Sequence, residues 1–123
     1  MIPEKMVQVL KSEGVVAIVT MGDALPHVVN TWNSYVHITN DSHLLIPVGG
    51  MVHTQANIEK KNNVLITFGS RAVQGFRGPG AGFLVEGTAA FLESGERFDL
   101  VKKSFPWVRA VMEVTVTSAT QTL

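Results

Sequence analysis

Apolar and polar residues alternate near the end of the chain, which is the pattern of a strand with one buried face. In AVMEVTVTSAT, residues 110–120, every second position from Met112 to Val116 is apolar. The run GVVAIVT, residues 14–20, is nearly all apolar and predicts a strand buried on both faces. HVVNTWNSYVHIT, residues 27–39, predicts one long strand or a bent pair of strands. Further strands are predicted, between turn signals, over residues 44–48, 62–70 and 83–93.

Three short segments have helical spacing instead. Residues 2–12 place four apolar side chains on one face, and a second helix is predicted over about Thr54 to Lys61. Ser94 is a candidate cap for a third helix, which would bury Phe98, Val101 and Phe105.

The connections between these elements are mostly short turns, apart from a glycine-rich loop predicted over residues 71–82, and Gly87 predicts a bulge in its strand. The pattern therefore predicts a mainly β fold, an antiparallel barrel with a few short helices, in a single domain over residues 1–123.

Composition narrows the possible partners. Lys plus Arg equals Asp plus Glu, ten each, so the net charge is zero and gives no reason to expect nucleic acid or an anionic membrane as a partner. Charged residues make up only 16% of the chain, and a surface with so little charge indicates cover by a second copy. There is no cysteine, no apolar run of membrane-spanning length and no signal-peptide pattern at the start. A cytoplasmic homodimer is the expectation.

Familiar catalytic motifs are missing from the sequence. It has no P-loop, no HExxH, no GxSxG and no paired acids at useful spacing, so no catalytic residue is predicted. GPGAG, residues 78–82, precedes a strand instead of opening a helix, so we interpret it as a hairpin loop. The four histidines His27, His37, His43 and His53 fit no metal-ligand spacing and are interpreted as scattered surface residues, with no metal site.

The stretch NTWNSY, residues 30–35, places polar side chains and two aromatic rings inside a strand region. Asparagine is depleted in strands, and buried amides need partners. Either these residues form a bend between barrel strands, or they donate hydrogen bonds to a ligand, with Trp32 and Tyr35 as flat surfaces.

The stretch PVGGMVHT, residues 47–54, has two glycines before a predicted helix start. A missing Cβ lets a ligand approach the backbone, and helix amides with Thr54 as N-cap would bind an anion, most simply phosphate. A tight turn without any ligand is the alternative. Together the two stretches indicate a phosphorylated, planar aromatic cofactor.

These motifs resemble the FMN-binding split-barrel family, which is related to pyridoxamine-phosphate oxidases. The similar segments run in order over nearly the whole chain: EGVVAIVT, PHVVNTWNSY, PVGGM, TQANI, GPGAGFLVEGTAAF and SATQTL. The resemblance implies an antiparallel split β-barrel and a homodimer that holds FMN without a covalent bond near the subunit interface. Trp107 and Leu123 would approach the flavin ring, from the same or the partner subunit. The residues expected to contact FMN are Asn30, Thr31, Trp32, Tyr35, Pro47, Val48, Gly49, Gly50, Met51, His53, Thr54, Trp107 and Leu123.

Two neighbouring positions depart from the family pattern. The family has a lysine where this chain has His53, and a histidine where it has Val52. Either His53 neutralises the phosphate in a pH-dependent way, or Arg71 or the helix amides contribute more of the binding.

Three functions agree with this reading. The first is a small electron-transfer flavoprotein with an unknown redox partner protein, because the cofactor would carry the chemistry. The second is a flavin reductase or small flavin-dependent oxidase that uses a nicotinamide cofactor. The third is a split barrel that binds a ligand without redox chemistry.

Overall fold

Seven antiparallel strands form one sheet that curls into a split barrel, in a computed structural model that describes residues 2–123. None of the helices in this range has the length and apolar character to cross a membrane. The order of strands across the sheet is β2-β1-β5-β6-β7-β4-β3. The strands are β1 Val15–Met21, β2 Pro26–Trp32, β3 His37–Ile38, β4 His43–Val48, β5 Asn63–Gln74, β6 Pro79–Leu92 and β7 Ala110–Gln121. The helices are α1 Glu4–Leu10, α2 Val52–Lys60, α3 Glu96–Ser104 and a short 3-10 helix Asn33–Tyr35.

The main core lies inside the barrel and is built from alternate residues of the strands. In β7 the predicted alternation is confirmed: Met112 and Val114 are fully buried, while Thr115 between Val114 and Val116 is exposed. In β1 the inward residue Ile18 is paired with Ile66 of β5. Full burial of an aliphatic side chain of this size stabilises the fold by about 1.5–3 kcal/mol.

The prediction that β1 is buried on both faces is wrong for the single chain. Val16 and Ile18 are fully buried, but Val15 is 49% exposed and Val19 is only partly covered. An apolar run shows that a strand avoids water, but it does not show whether the cover comes from the same chain.

The region 27–39 is a bent pair of strands, as one of the two alternatives predicted. β2 and β3 are separated by the 3-10 helix, which begins at the buried Asn33. The glycine-rich loop predicted over residues 71–82 is mostly strand. β5 continues to Gln74 and β6 begins at Pro79, so only four residues connect them. Glycine and proline masked the alternation here, although the backbone pairing continues through them.

The third helix begins at Glu96, two residues after the predicted cap Ser94. Gly95, with φ of 104°, occupies the N-cap position of α3 instead of Ser94, and no side chain caps the helix. Its buried side is as predicted: Val101 packs with Phe98 and Phe105 over a small second core that contains Leu45, Val108 and Val111. The predicted bulge at Gly87 is confirmed by a register shift between Glu86 and Gly87.

A cluster of charged side chains connects α3 to the barrel. Arg97 donates from Nη2 to both carboxylate oxygens of Asp41, at 2.9 and 2.8 Å, and from Nη1 to Oε2 of Glu113. Nδ1 of His43 lies 3.1 Å from the same Glu113 oxygen. The hydrogen bond from the Thr39 hydroxyl, followed by that from Arg97, lowers the pKa of Asp41 from 3.8 to about 2. We call this group the Arg97 cluster.

Candidate functional site

The two glycines after β4 form the turn that leads into α2. A Cβ atom on Gly49 would lie 3.3 Å from Cε3 and Cζ3 of Trp107, which is tighter than ordinary contact, whereas a Cβ on Gly50 would meet nothing within 4 Å. The left-handed residue of the turn is Met51, with φ of 57°. Gly49 thus makes a close approach to an indole ring of the same chain, and the approach of a ligand to these glycines stays a prediction.

Arg109 fixes this turn from the other side. Its Nε and Nη2 donate to the carbonyl oxygen of Gly50 at 3.1 and 2.6 Å, and its Nη1 donates to Oε1 of Gln55 at 2.8 Å. Its backbone N–H donates to the carbonyl oxygen of Val48. The guanidinium therefore joins the turn to the first turn of α2 and places a permanent positive charge there. Sequence analysis did not single out Arg109, whose only signal is its position two residues after Trp107.

Thr54 is not the N-cap that the sequence predicted. The helix begins at Val52, so Thr54 is its third residue, and Met51 occupies the cap position without a side-chain hydrogen bond. The Thr54 side chain is fully buried, and its Oγ1 has no hydrogen-bond partner in the structure of residues 2–123. An unpaired buried hydroxyl costs about 1–3 kcal/mol. An acceptor that reaches this oxygen would remove the penalty.

The backbone at the same point also offers donors. The first hydrogen bond along α2 runs from the N–H of Gln55 to the carbonyl oxygen of Met51. The N–H groups of the three preceding residues have no acceptor within a helix, and the positive end of the helix dipole lies there. Together with the Thr54 hydroxyl, these groups have the chemistry of a phosphate site.

Two of the histidines are not scattered, contrary to the sequence interpretation. His27 on β2 and His53 on α2 are stacked, with ring centroids 4.2 Å apart and an angle of 26° between the planes. We call them the stacked histidines. His43 belongs to the Arg97 cluster, and His37 is exposed on β3. Across residues 2–123, no group of three or more His, Cys, Asp or Glu side chains could hold a metal ion.

The polar stretch of residues 30–35 divides into two roles. Asn33 is structural: its buried Nδ2 lies within 3.2 Å of the carbonyl oxygens of Val9, Ser12 and Gly69, so it holds the bend against α1 and β5. Asn30 is exposed and donates only from Nδ2, to the carbonyl oxygen of Val16, which leaves its Oδ1 able to accept a hydrogen bond.

The remaining predicted residues of β2 and β4 differ in their exposure. Thr31 is 8% exposed, whereas Trp32 is 47% exposed. The side chains of Pro47 and Val48 are buried in β4. Contact of these last two with a ligand remains a prediction.

An aromatic cluster lies beside the glycine turn. The Tyr35 ring is 4.8 Å from that of Phe105 and 6.0 Å from that of Trp107, and the latter two are 5.7 Å apart, measured between centroids. Trp107 is 52% exposed and packs on Gly49. Tyr35, Gly49 and Trp107, which are far apart in the sequence, therefore meet at one place. Phe105 was predicted only as a core residue of α3.

Leu123 lies in a different part of the fold from the glycine turn. It lines a cavity of about 670 Å³ together with Arg71, Phe76 and the glycines at the tip of the β5–β6 hairpin. It is 64% exposed. Within one chain the structure thus groups Leu123 with Arg71, and the predicted contact of Leu123 with a cofactor stays a prediction.

Comparison with known proteins agrees with this architecture. The family model for pyridoxamine 5′-phosphate oxidase matches residues 2–122. The chain belongs to the pyridoxamine 5′-phosphate oxidase family. Within this family, the chain is 50% identical, over the full length of both proteins, to the FMN-binding protein of Nitratidesulfovibrio vulgaris strain Miyazaki F.

Solved structures show the family's fold at much lower identity. HupZ of Group A Streptococcus has a TM-score of 0.81 at 18% identity, with 98% of this chain and 94% of HupZ covered. An FMN-binding protein of Syntrophomonas wolfei has a TM-score of 0.68 at 16% identity, with 88% of this chain and 76% of that protein covered. The predicted fold, a mainly antiparallel split β-barrel with short helices, is confirmed.

Proposed function

We propose that the protein binds FMN without a covalent bond and transfers electrons through it. The observation that carries the proposal is the buried, unpaired hydroxyl of Thr54 at the start of α2, beside helix amides that lack acceptors. The 50% identity to a protein named FMN-binding protein supports the choice of FMN among phosphorylated cofactors.

The half-exposed aromatic side chains suit a flavin ring. Trp32 and Trp107 present flat surfaces, and the Gly49 turn beside Trp107 lacks a side chain. Asn30 has an unused amide oxygen that could accept from a ring N–H. When bound, FMN would supply the one- and two-electron chemistry, while the chain binds, orients and shields it.

A homodimer is part of this proposal, and the outer face of the sheet supports it. Val15 is paired with Trp32, and Val19 is paired with both Val28 and Leu65, so these five side chains share one face. Val15, Val28, Trp32 and Leu65 are 37–57% exposed in the single chain. An exposed, largely apolar face of this kind is typical of a protein–protein interface. A second copy would cover it and would bring further residues, such as the partner copy's C-terminus, to the cofactor.

Electron transfer fits the site better than substrate turnover. The cluster beside the glycine turn consists of three aromatic side chains, none of which has a carboxylate or an imidazole. The guanidinium of Arg109 is already hydrogen-bonded to Gly50 and Gln55. The exposed edge of Trp107, which lies outside the outer apolar face, leaves the proposed ring site open to a redox partner protein. Catalytic oxidation of NADH by the FMN-loaded protein would instead make it a flavin reductase, whereas reduction without turnover agrees with a carrier.

Titration of the apoprotein with FMN and riboflavin tests the binding proposal. Each charge-assisted hydrogen bond to the phosphate is worth about 1.5–3 kcal/mol, so two such bonds predict FMN affinity at least about a hundredfold above that of riboflavin. Equal affinities would rule out a phosphate site at the start of α2. Absence of binding by both flavins would reject the proposed function.

Sedimentation tests the dimer. Val28→Glu places a charge in the outer apolar face and should give monomers at low micromolar concentration. Leu100→Glu is the matched control, because Leu100 is similarly exposed, at 46%, on α3. A wild-type protein that sediments as a monomer, or a Val28→Glu variant that stays dimeric, would contradict this interface.

A further inference from the structure

We propose that His27 binds the cofactor phosphate together with His53, and that the stacked histidines take up protons when FMN binds. The inference rests on the proposed FMN binding and deepens it. Neither composition nor motif singles out His27, which lies on a different element from the glycine turn. Its role follows from the contact between its ring and that of His53.

The positions of both rings are fixed by the strand and helix that carry them. His27 is opposite Thr20 in the β1–β2 pairing, and Thr20 accepts a hydrogen bond from Nδ2 of Asn57, at 3.1 Å. Asn57 follows His53 by one helical turn, so both lie on the same side of α2. The Thr20–Asn57 contact therefore sets the register that brings the imidazoles together. His53 is exposed and His27 is half-buried, so a ligand can reach the pair.

Few other charged groups are in a position to decide the protonation of the pair. Besides His27, β2 has no titratable side chain, β1 has none, and the only one on β6 is Glu86, which accepts a hydrogen bond from Ser118. On α2, Glu59 and Lys60 lie toward the C-terminal end, and Lys60 is 3.7 Å from Asp23 in the turn before β2. The remaining charge is Arg109, which is bonded to Gly50 and Gln55.

Two protonated imidazoles in contact repel each other, and the helix dipole at the start of α2 also disfavours positive charge. A phosphate dianion reverses both effects, because it attracts each imidazolium and accepts its hydrogen bonds. Histidine is the side chain whose charge changes most readily near pH 7. Binding of FMN should therefore transfer about one proton from the buffer to the pair at pH 7.

Calorimetric titration of the apoprotein with FMN at pH 7, in two buffers of different ionisation enthalpy, measures this proton uptake directly. We expect uptake of about one proton per FMN and none for riboflavin, which lacks the phosphate. His27→Gln and His53→Gln should each lose at least half of the uptake. Each should also weaken FMN binding about fivefold to tenfold at pH 6.5, with a smaller effect at pH 8.5.

His37→Gln is the matched control, because it removes an exposed imidazole on β3 that lies apart from α2. It should retain both uptake and affinity. FMN binding without proton uptake, or uptake that survives His27→Gln undiminished, would overturn this inference and leave the proposed function intact. Failure of FMN to bind at all would overturn both.

Discussion

The start of α2 and the contact between α3 and the barrel are both polar. They differ in whether their hydrogen-bonding groups have partners. In the Arg97 cluster, the guanidinium is bonded to Asp41 and Glu113, and His43 adjoins the same carboxylate. At the start of α2, the Thr54 hydroxyl is buried without a partner among residues 2–123, and His53 is open to solvent.

This difference separates groups that hold the fold from groups that are available to a ligand. Paired charges in the Arg97 cluster leave little for a second molecule to gain. An unpaired buried hydroxyl lowers the stability of the ligand-free chain, and a ligand that accepts its hydrogen bond would offset the loss. A groove of about 1000 Å³ lies beside α3, and its lining includes Arg97 and Asp41. Because these two charged residues are bonded to each other, the groove is a weaker candidate site than the start of α2.

The largest effect is expected from Gly49→Val, at the turn that leads into α2. A branched side chain would enter the space of the Trp107 indole and displace it, at an overpacking cost of about 1–3 kcal/mol. FMN affinity should fall at least about tenfold, and the tryptophan fluorescence should change. Gly50→Ala is the control for displacement of Trp107, because its Cβ meets no protein atom within 4 Å and Gly50 is not among the positive-φ residues, so the tryptophan fluorescence should stay unchanged. A similar loss in both variants would show that the turn tolerates no side chain for a reason unrelated to Trp107.

The same substitution at two buried threonines should change stability in opposite directions. Thr54→Val removes a hydroxyl without a partner, so the ligand-free protein should gain up to about 1 kcal/mol of stability, while FMN affinity falls about tenfold. Thr20→Val removes a hydroxyl that accepts from Asn57, so it should destabilise by about 1–3 kcal/mol. Urea unfolding of both apoproteins measures these opposite signs. Destabilisation by Thr54→Val would mean that its hydroxyl already has a partner.

The Arg97 cluster should control acid stability but not cofactor binding. Because the pKa of Asp41 is lowered from 3.8 to about 2, its carboxylate stabilises the fold fully above about pH 4. That contribution is lost as the pH falls toward 2. Asp41→Asn should therefore unfold more easily than wild type at pH 6 and show a shallower loss of stability between pH 4 and 2. Thermal unfolding across pH measures this, and an unchanged acid slope would contradict it. FMN affinity at pH 7 should stay the same.

The sequence pattern predicted the features that depend only on residues close to each other along the chain. The alternation in β7, the buried side of α3 and the bulge at Gly87 follow from strand and helix periodicity. For the candidate site, the approach of a ligand to the glycines before α2 stays a prediction.

The missed features depend on residues distant in sequence. His27 precedes His53 by a strand pair and a turn, and Arg109 reaches Gly50 across 59 positions. Thr54 was read as a cap because threonine often occupies that place, whereas the left-handed Met51 starts the helix earlier. Single-sequence patterns do not encode such contacts.

The smallest effect, and the finest test of the comparison, is expected from His53→Lys. Histidine loses its charge near neutral pH, whereas lysine stays protonated to about pH 10.4. Wild-type affinity for FMN should follow a bell-shaped curve, because the phosphate gains its second charge near pH 6 while the stacked histidines lose theirs at higher pH. His53→Lys should remove the alkaline fall and strengthen binding a few-fold above about pH 7, since the exposed position lets solvent screen much of the added attraction. His53→Ala should weaken binding most at acidic pH.

FMN dissociation constants of the three proteins from pH 5.5 to 9 decide the matter. Three coincident curves would show that His53 does not contact the phosphate, which would leave the anion to the helix amides and Thr54.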